Sequence, residues 1–230
     1  MFSHVFLAMT TTEFAEFQPP KTAYMACHFS PYGKGLTNLP RDLPKGSILL
    51  LDDSTPPCGH DAKITAEQLC QLTEQFSPVA ILLDFQGERT TESTAMAEHL
   101  VHTLPCPVAV TEQYAKALGC SVFLSPLPAN KALGEYLAPW NKQGVYLEIA
   151  PAAVQVTVTR SGSSAIPIPF AKGLPLSDKR LLCHYRTESF PERAVFTLSR
   201  TKEDLAALVQ QAKDMAVLGC IGLYQELKRL

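Results

Sequence analysis

The segment Pro78-Val79-Ala80-Ile81-Leu82-Leu83-Asp84-Phe85-Gln86-Gly87-Glu88 constrains the fold more than any other stretch of the chain. Its apolar run, Val79 to Leu83, ends abruptly in polar and acidic residues. A short apolar run without alternation reads as a strand buried on both faces, the habit of parallel sheets covered by helices. Side chains alternate along a strand, so Asp84, Gln86 and Glu88 share one face where this strand ends. In a closed parallel barrel the carboxyl ends of the strands collect the ligand chemistry.

The rest of the chain supplies matching units. Val5 to Phe17 fits either a strand or an amphipathic helix, and Ala23 to Phe29 a strand. Ser47 to Leu51 is a short apolar strand ending at Asp52-Asp53. Thr65 and Gln68 form a capping-box pair, followed by Leu69, Leu72 and Phe76 at helical spacing. Thr91 to Leu104 reads as a helix and Pro105 to Val110 as a strand that leads to Glu112. Tyr114 to Leu118 reads as a short helix and Val122 to Leu124 as a strand. Asn130 to Leu137 is helical, and Val145 to Ile149 is a strand carrying Glu148. Val154 to Thr159 then alternates, turns at Arg160 to Ser163, and returns through Pro167 and Pro169, which predicts a hairpin with an edge strand. Leu181 to Tyr185 and Ala194 to Leu198 read as strands, Thr201 caps a last helix, and Cys220 to Tyr224 is a final strand.

Strands alternating with helices imply parallel strands joined by right-handed crossovers. The expected class is therefore α/β: a compact, irregular (β/α)8 TIM-barrel-like domain spanning residues 1–230, with a β-hairpin insertion near residues 154–170. The chain is short for a fold of typically ~250 residues, so some helices must be abbreviated.

Bulk properties exclude several classes. The content is 46% hydrophobic and 18% charged, as in globular proteins, and the formal net charge of −2 gives no footprint for nucleic acid. No apolar run approaches the ~18 residues that a membrane span needs. The stretch from Met1 to Pro20 lacks a basic start and makes a poor signal peptide. Seven scattered cysteines without a Cys-x-x-Cys pair point to a reducing cytoplasm. The turn Cys58-Gly59-His60-Asp61 has too few donors for a closed zinc site, and neither a dinucleotide fingerprint nor a phosphate-binding loop is present.

A barrel would gather His28, Ser30, Asp52, Asp53, Asp84, Gln86, Glu112, Ser125, Glu148, His184, Gln225 and Glu226 at one end. Converging carboxylates suit acid–base chemistry, because crowding and partial burial raise one pKa while leaving another group ionised.

Val79 to Gln86 resembles the central barrel strand of glycoside hydrolase family 18, the chitinase-like barrels. Their pattern is Asp-x-x-Asp-x-Asp-x-Glu, ending in a catalytic acid, and Val79, Leu82, Asp84 and Gln86 stand at its positions. Thr201 to Asp214 is similar to that family's closing helix, and Gly222-Leu223-Tyr224-Gln225-Glu226-Leu227 to its terminal aromatic-Glu-Leu strand. The resemblance implies a barrel with a glycan ligand, in which the glutamic acid protonates the glycosidic oxygen and the substrate's acetamido group is the nucleophile. Gln86 has no acidic proton to deliver. Asp84 could still orient an acetamido group, and an acid would have to come from Glu88, Glu112 or Glu148.

The expectation is thus a small cytoplasmic barrel protein that binds a glycan or another small polar ligand, without nucleic-acid or membrane partners. Asp84, Glu148 and Glu112 are the catalytic candidates; His28, Asp52, Gln86, His184, Tyr224 and Glu226 are the ligand-binding candidates. No cofactor and no metal is expected. Gln86 favours a catalytically silent relative, since an amide keeps hydrogen bonding without acid chemistry. If the protein is an enzyme, a glycoside hydrolase-like activity comes first. Two alternatives stay open: a divalent-metal enzyme using Asp52, Asp84, Glu112 and His184, and a non-catalytic protein-interaction module.

Overall fold

The computed structural model describes residues 4–169 and 171–228. Its barrel consists of β1 (Val5–Met9), β2 (Thr22–Phe29), β4 (Ile48–Asp52), β5 (Ala80–Asp84), β6 (Val108–Thr111), β7 (Ser121–Leu124), β8 (Val145–Glu148) and β14 (Gly219–Leu223). These strands pair in parallel, and the ring closes because β1 pairs with both β14 and β2. A two-residue strand, β3 (Leu36–Thr37), adds antiparallel to β2. The structure is a TIM-barrel fold, as the sequence predicts.

Two apolar layers follow from strand alternation. Ala80 and Leu82 face the barrel interior with Phe6, Ala8, Ala23, Ile48, Leu50, Ala109, Phe123, Tyr146 and Ile221. The alternate residues Ile81, Leu83 and Phe85 belong to the larger core beneath the helices. A strand that is buried on both faces needs apolar residues at every position, which is why Ala80 to Leu83 shows no alternation, while Val79, just before the strand, is exposed.

The helices are α1 (Thr11–Glu16), α2 (Ala62–Phe76), α3 (Thr91–Thr103), α4 (Glu112–Leu118), α5 (Leu133–Leu137), α6 (Lys202–Asp214) and α7 (Tyr224–Leu227). The ambiguous Val5–Phe17 segment is both strand and helix, divided by a capping box between Thr10 and Glu13. Helix α2 begins earlier than Thr65. Asp61 caps it by accepting from the N–H groups of Lys63 and Ile64, and Thr65 is a buried residue of the first turn. Between β2 and β4 no helix forms. The chain crosses there as a loop, with Tyr24 Oη donating to Asn38 O at 2.8 Å and Leu36 N donating to Gln68 Oε1 at 2.7 Å.

The insertion is larger than the hairpin expected from the sequence. Strands β9 (Ala153–Thr159), β10 (Gly162–Ile168), β11 (Leu176–Asp178), β12 (Cys183–Phe190) and β13 (Arg193–Ser199) form an antiparallel five-stranded sheet in the order β10-β9-β13-β12-β11. Phe170, taken as the end of the hairpin's second strand, lies outside the described residues. The sheet enters after β8, so it leaves the barrel at the carboxyl end. The segments at 181–185 and 194–198 are therefore strands, but they pair within this sheet and not in the barrel.

One buried cation holds the junction together. Arg200 is fully buried, and its guanidinium donates to the carbonyl oxygens of Leu127, Pro128 and Leu181. Ala129, Val154, Cys183 and Leu198 form a small apolar cluster at the same junction. Replacing Arg200 with Leu should leave those carbonyls without donors and cost about 3 kcal/mol. Urea unfolding measures this; a loss below about 0.5 kcal/mol, the range of ordinary surface substitutions, would show that the cation does not hold the junction.

Candidate functional site

The inward-facing register of the barrel continues at its carboxyl end as polar residues. Ala80, Leu82 and Asp84 share one face of β5, as do Ile48, Leu50 and Asp52 on β4, and Tyr146 and Glu148 on β8. Asp52 pairs in register with Asp84 on one side and with His28 on the other. Met25 and Leu223 pack against the interior cluster. Three carboxylates and an imidazole thus crown a filled apolar barrel, half-buried at its mouth.

The turn leaving β5 is clamped from two sides. Asp53 accepts from the backbone N–H groups of Gln86 at 2.9 Å and Gly87 at 3.0 Å. From the other side, Thr111 Oγ1 at the end of β6 donates to Phe85 O at 2.8 Å, and Gln113 Nε2 in α4 donates to Phe85 O at 2.7 Å and Gly87 O at 3.2 Å. A Cβ at position 87 would stand 2.8 Å from Asp53 Oδ2, so the close approach requires glycine. Phe85 anchors the turn below, packed at 5.8 Å from Phe29 and 6.1 Å from Tyr114 between ring centroids. The Gln86 side chain is left exposed above, where Nε2 donates to Asp84 Oδ1 at 2.7 Å.

Electrostatics at the mouth is dominated by like charge. Burial raises the pKa of Asp84; the Gln86 amide opposes this, while Asp52 and Asp53 add to it. Glu148 is pushed up to about 7 by burial, with Asp84 and then Glu226 adding repulsion. Glu112, the first residue of α4, accepts at Oε1 from the Tyr136 hydroxyl at 3.1 Å, and Tyr136 reaches Ser125 O at 3.0 Å. Burial and the Glu112 carboxylate hold the Tyr136 phenol well above its ordinary range.

The remaining candidates separate. Glu226 lies in α7, next to Glu148 in effect, and its Oε2 is buried without a hydrogen-bond partner. Tyr224 of the same helix stacks on Phe17 at 5.7 Å. His184 sits on β12, outside the barrel, with Nδ1 at 2.8 Å from Asp204 Oδ2 at the start of α6. The structure therefore brings His28, Asp52, Asp84, Gln86, Glu148 and Glu226 to the carboxyl end and places His184 elsewhere. Among the described residues no three His, Cys, Asp or Glu side chains are arranged to hold a metal ion. Sequence reasoning missed the positioning roles of Asp53, Thr111 and Gln113, and the phenol of Tyr136. Asp53 was visible as the second acid of a strand-ending pair; the others carry no sequence signal of their own.

Comparison with known proteins bears on this geometry. No family model matches the chain, and no curated protein matches it. Solved structures do. A chitinase-like agglutinin from Robinia pseudoacacia superposes with a TM-score of 0.57 at 10% identity, covering 96% of this chain and 94% of that one. The two share a barrel fold. The spore cortex-lytic enzyme SleL of Bacillus cereus gives a TM-score of 0.54 at 11% identity, over 95% of this chain and 70% of its own. A mutant glycoside hydrolase family 18 chitinase from Cycas revoluta, in complex with (GlcNAc)4, gives 0.50 at 12%, over 95% and 94%. At such identities the likeness is one of fold, and it agrees with the resemblance carried by Val79 to Gln86.

The raised pKa of Glu148 has a consequence for stability. Its ordinary value is 4.5 and its folded value about 7, so between these the folded state holds a proton that the unfolded chain has released. Stability should fall as pH rises through that window, by on the order of 2 kcal/mol at the half-open mouth, and stay lower above it. Glu148→Gln should flatten that slope and raise the melting temperature most at alkaline pH. An unchanged slope in thermal melts across the window would contradict the assignment.

Proposed function

We propose that this protein binds a glycan at the carboxyl end of its barrel and does not cleave it by the acid-donating route of family 18 enzymes. The observation that carries the reading is the Gln86–Asp84 hydrogen bond, 2.7 Å long, at the end of the central strand. An amide at that position donates and accepts hydrogen bonds but has no acidic proton. The clamp of Asp53, Thr111 and Gln113 fixes the amide's backbone, which is the pre-organisation a binding site requires. One of the similar structures, the Cycas revoluta chitinase, is in complex with (GlcNAc)4, which supports a sugar ligand. The seven free cysteines support the reducing cytoplasm as its compartment.

A second reading has one observation in its favour. With a pKa of about 7, Glu148 is partly protonated at neutral pH and matches what a general acid needs. On that reading Glu148 would deliver its proton to the glycosidic oxygen in place of the missing glutamic acid.

Isothermal titration with (GlcNAc)4, followed by assay for released reducing ends, separates the two. Binding without hydrolysis is the expected result. Asp84→Ala should weaken binding at least about tenfold, because a charged hydrogen-bond acceptor is lost. Turnover abolished by Glu148→Gln would favour the catalytic reading instead, and absence of binding to chitin-type and other oligosaccharides would remove both.

A further inference from the structure

The crossover from β2 to β4 leaves a cavity on the outer wall of the barrel. Where the other crossovers carry a helix, ~10–12 Å across with its side chains, this one is a loop with the two-residue strand β3. Leu36 and Leu43 of this crossover are buried and seal the core. They do not fill the space beside α1, where a cavity of about 540 Å³ lies between Phe14 and Ala15 and the segment from Asn38 to Asp42. Its floor is Tyr24 of β2, 2% exposed, with its ring packed edge-on against Phe14 at 6.2 Å. The Tyr24 hydroxyl donates to Asn38 O at 2.8 Å and lies 3.2 Å from Thr11 Oγ1, so one buried phenol ties both walls together. Asn38 turns the loop at a φ of 54°, a left-handed conformation that asparagine tolerates. Pro40 then fixes the backbone in front of Arg41 and Asp42. The cavity is therefore pre-formed, and its volume falls within the range of small-molecule sites, roughly 300–1,000 Å³.

Two opposite charges stand at its rim. Arg41 and Asp42 line the cavity, and neither joins the ion pairs of the described residues, Arg180–Glu135, His184–Asp204 and Arg186–Glu188. An apolar floor below one cation and one anion complements a molecule with an apolar body and both charges at one end. We propose that this cavity binds a free α-amino acid with an aromatic side chain, its carboxylate on Arg41, its ammonium on Asp42 and its ring against Phe14 and Leu39. A guanidinium pairs with a carboxylate through two parallel hydrogen bonds, and an ammonium offers three donors to a carboxylate. Burial of the ring supplies the non-directional part of the affinity. Exposed ion pairs are weak singly, so selection comes from engaging both charges at once. This site is independent of the glycan-binding reading of the mouth.

The test titrates the isotope-labelled protein with L-phenylalanine and follows backbone amide shifts by NMR. Saturable shifts centred on residues 11–18 and 38–42 are the expected result. Phenethylamine, which lacks the carboxylate, and 3-phenylpropionate, which lacks the ammonium, should each bind at least about fivefold more weakly. Arg41→Gln should remove the advantage of phenylalanine over phenethylamine, and Asp42→Asn its advantage over 3-phenylpropionate. Ala15 is exposed at the cavity wall, so Ala15→Trp, checked for folding by circular dichroism, should fill the space and abolish binding. No saturable shift, shifts centred elsewhere, or undiminished binding by Ala15→Trp overturns the site. Equal affinity for either single-charge analogue, or a preference that survives both rim substitutions, overturns the assignment of an amino acid held by Arg41 and Asp42.

Discussion

Everything at the carboxyl end depends on closure of the barrel through β1, which pairs with β14 on one edge and β2 on the other. Closure removes the sheet edges and forces one set of side chains into a small interior. That interior is filled by pairing small against large: Ala23, Ala80 and Ala109 share it with Phe6, Phe123 and Tyr146. Because it is filled, a ligand can enter only above it. The residues that follow the interior set on each strand are then pressed between an apolar floor and solvent. Partial desolvation of Asp84 and Glu148 is thus a consequence of the barrel's packing, and their raised pKa values follow from burial first and mutual repulsion second.

Much of this was legible in the chain. The uninterrupted run Val79 to Leu83 announced a strand buried on both faces, and alternation beyond it correctly put Asp84 at the mouth. Capping chemistry located α6 through Thr201 and Asp204. It misplaced the start of α2, because Asp61 and Thr65 are both good caps one turn apart and only burial of Thr65 decides between them. The five-stranded sheet was half seen. Residues 181–185 and 194–198 carry strand patterns, but a local pattern does not say whether the partner is a barrel strand or a neighbouring hairpin. That difference removed His184 from the barrel and joined it to Asp204.

The site was legible in its charged residues and not in what holds them. Asp84, Gln86 and Glu148 could be placed by strand parity alone. The clamp could not, because Asp53, Thr111 and Gln113 reach the β5 turn from neighbouring strand ends and from α4, across separations of 26 to 34 residues. Glu226 was expected at the end of a strand and sits in the short helix α7, with its Oε2 buried. At the end of the central strand the structure thus holds an amide, Gln86, bonded to the neighbouring Asp84 above a turn that is clamped from two sides.

A structure of the protein determined with (GlcNAc)4 tests this account most directly. The tetrasaccharide should lie intact across the carboxyl end of the barrel, in hydrogen-bond contact with Gln86 and Asp84, with the β5 turn unmoved. Sugar bound away from that end, or a mouth that stays empty at saturating ligand, would contradict it.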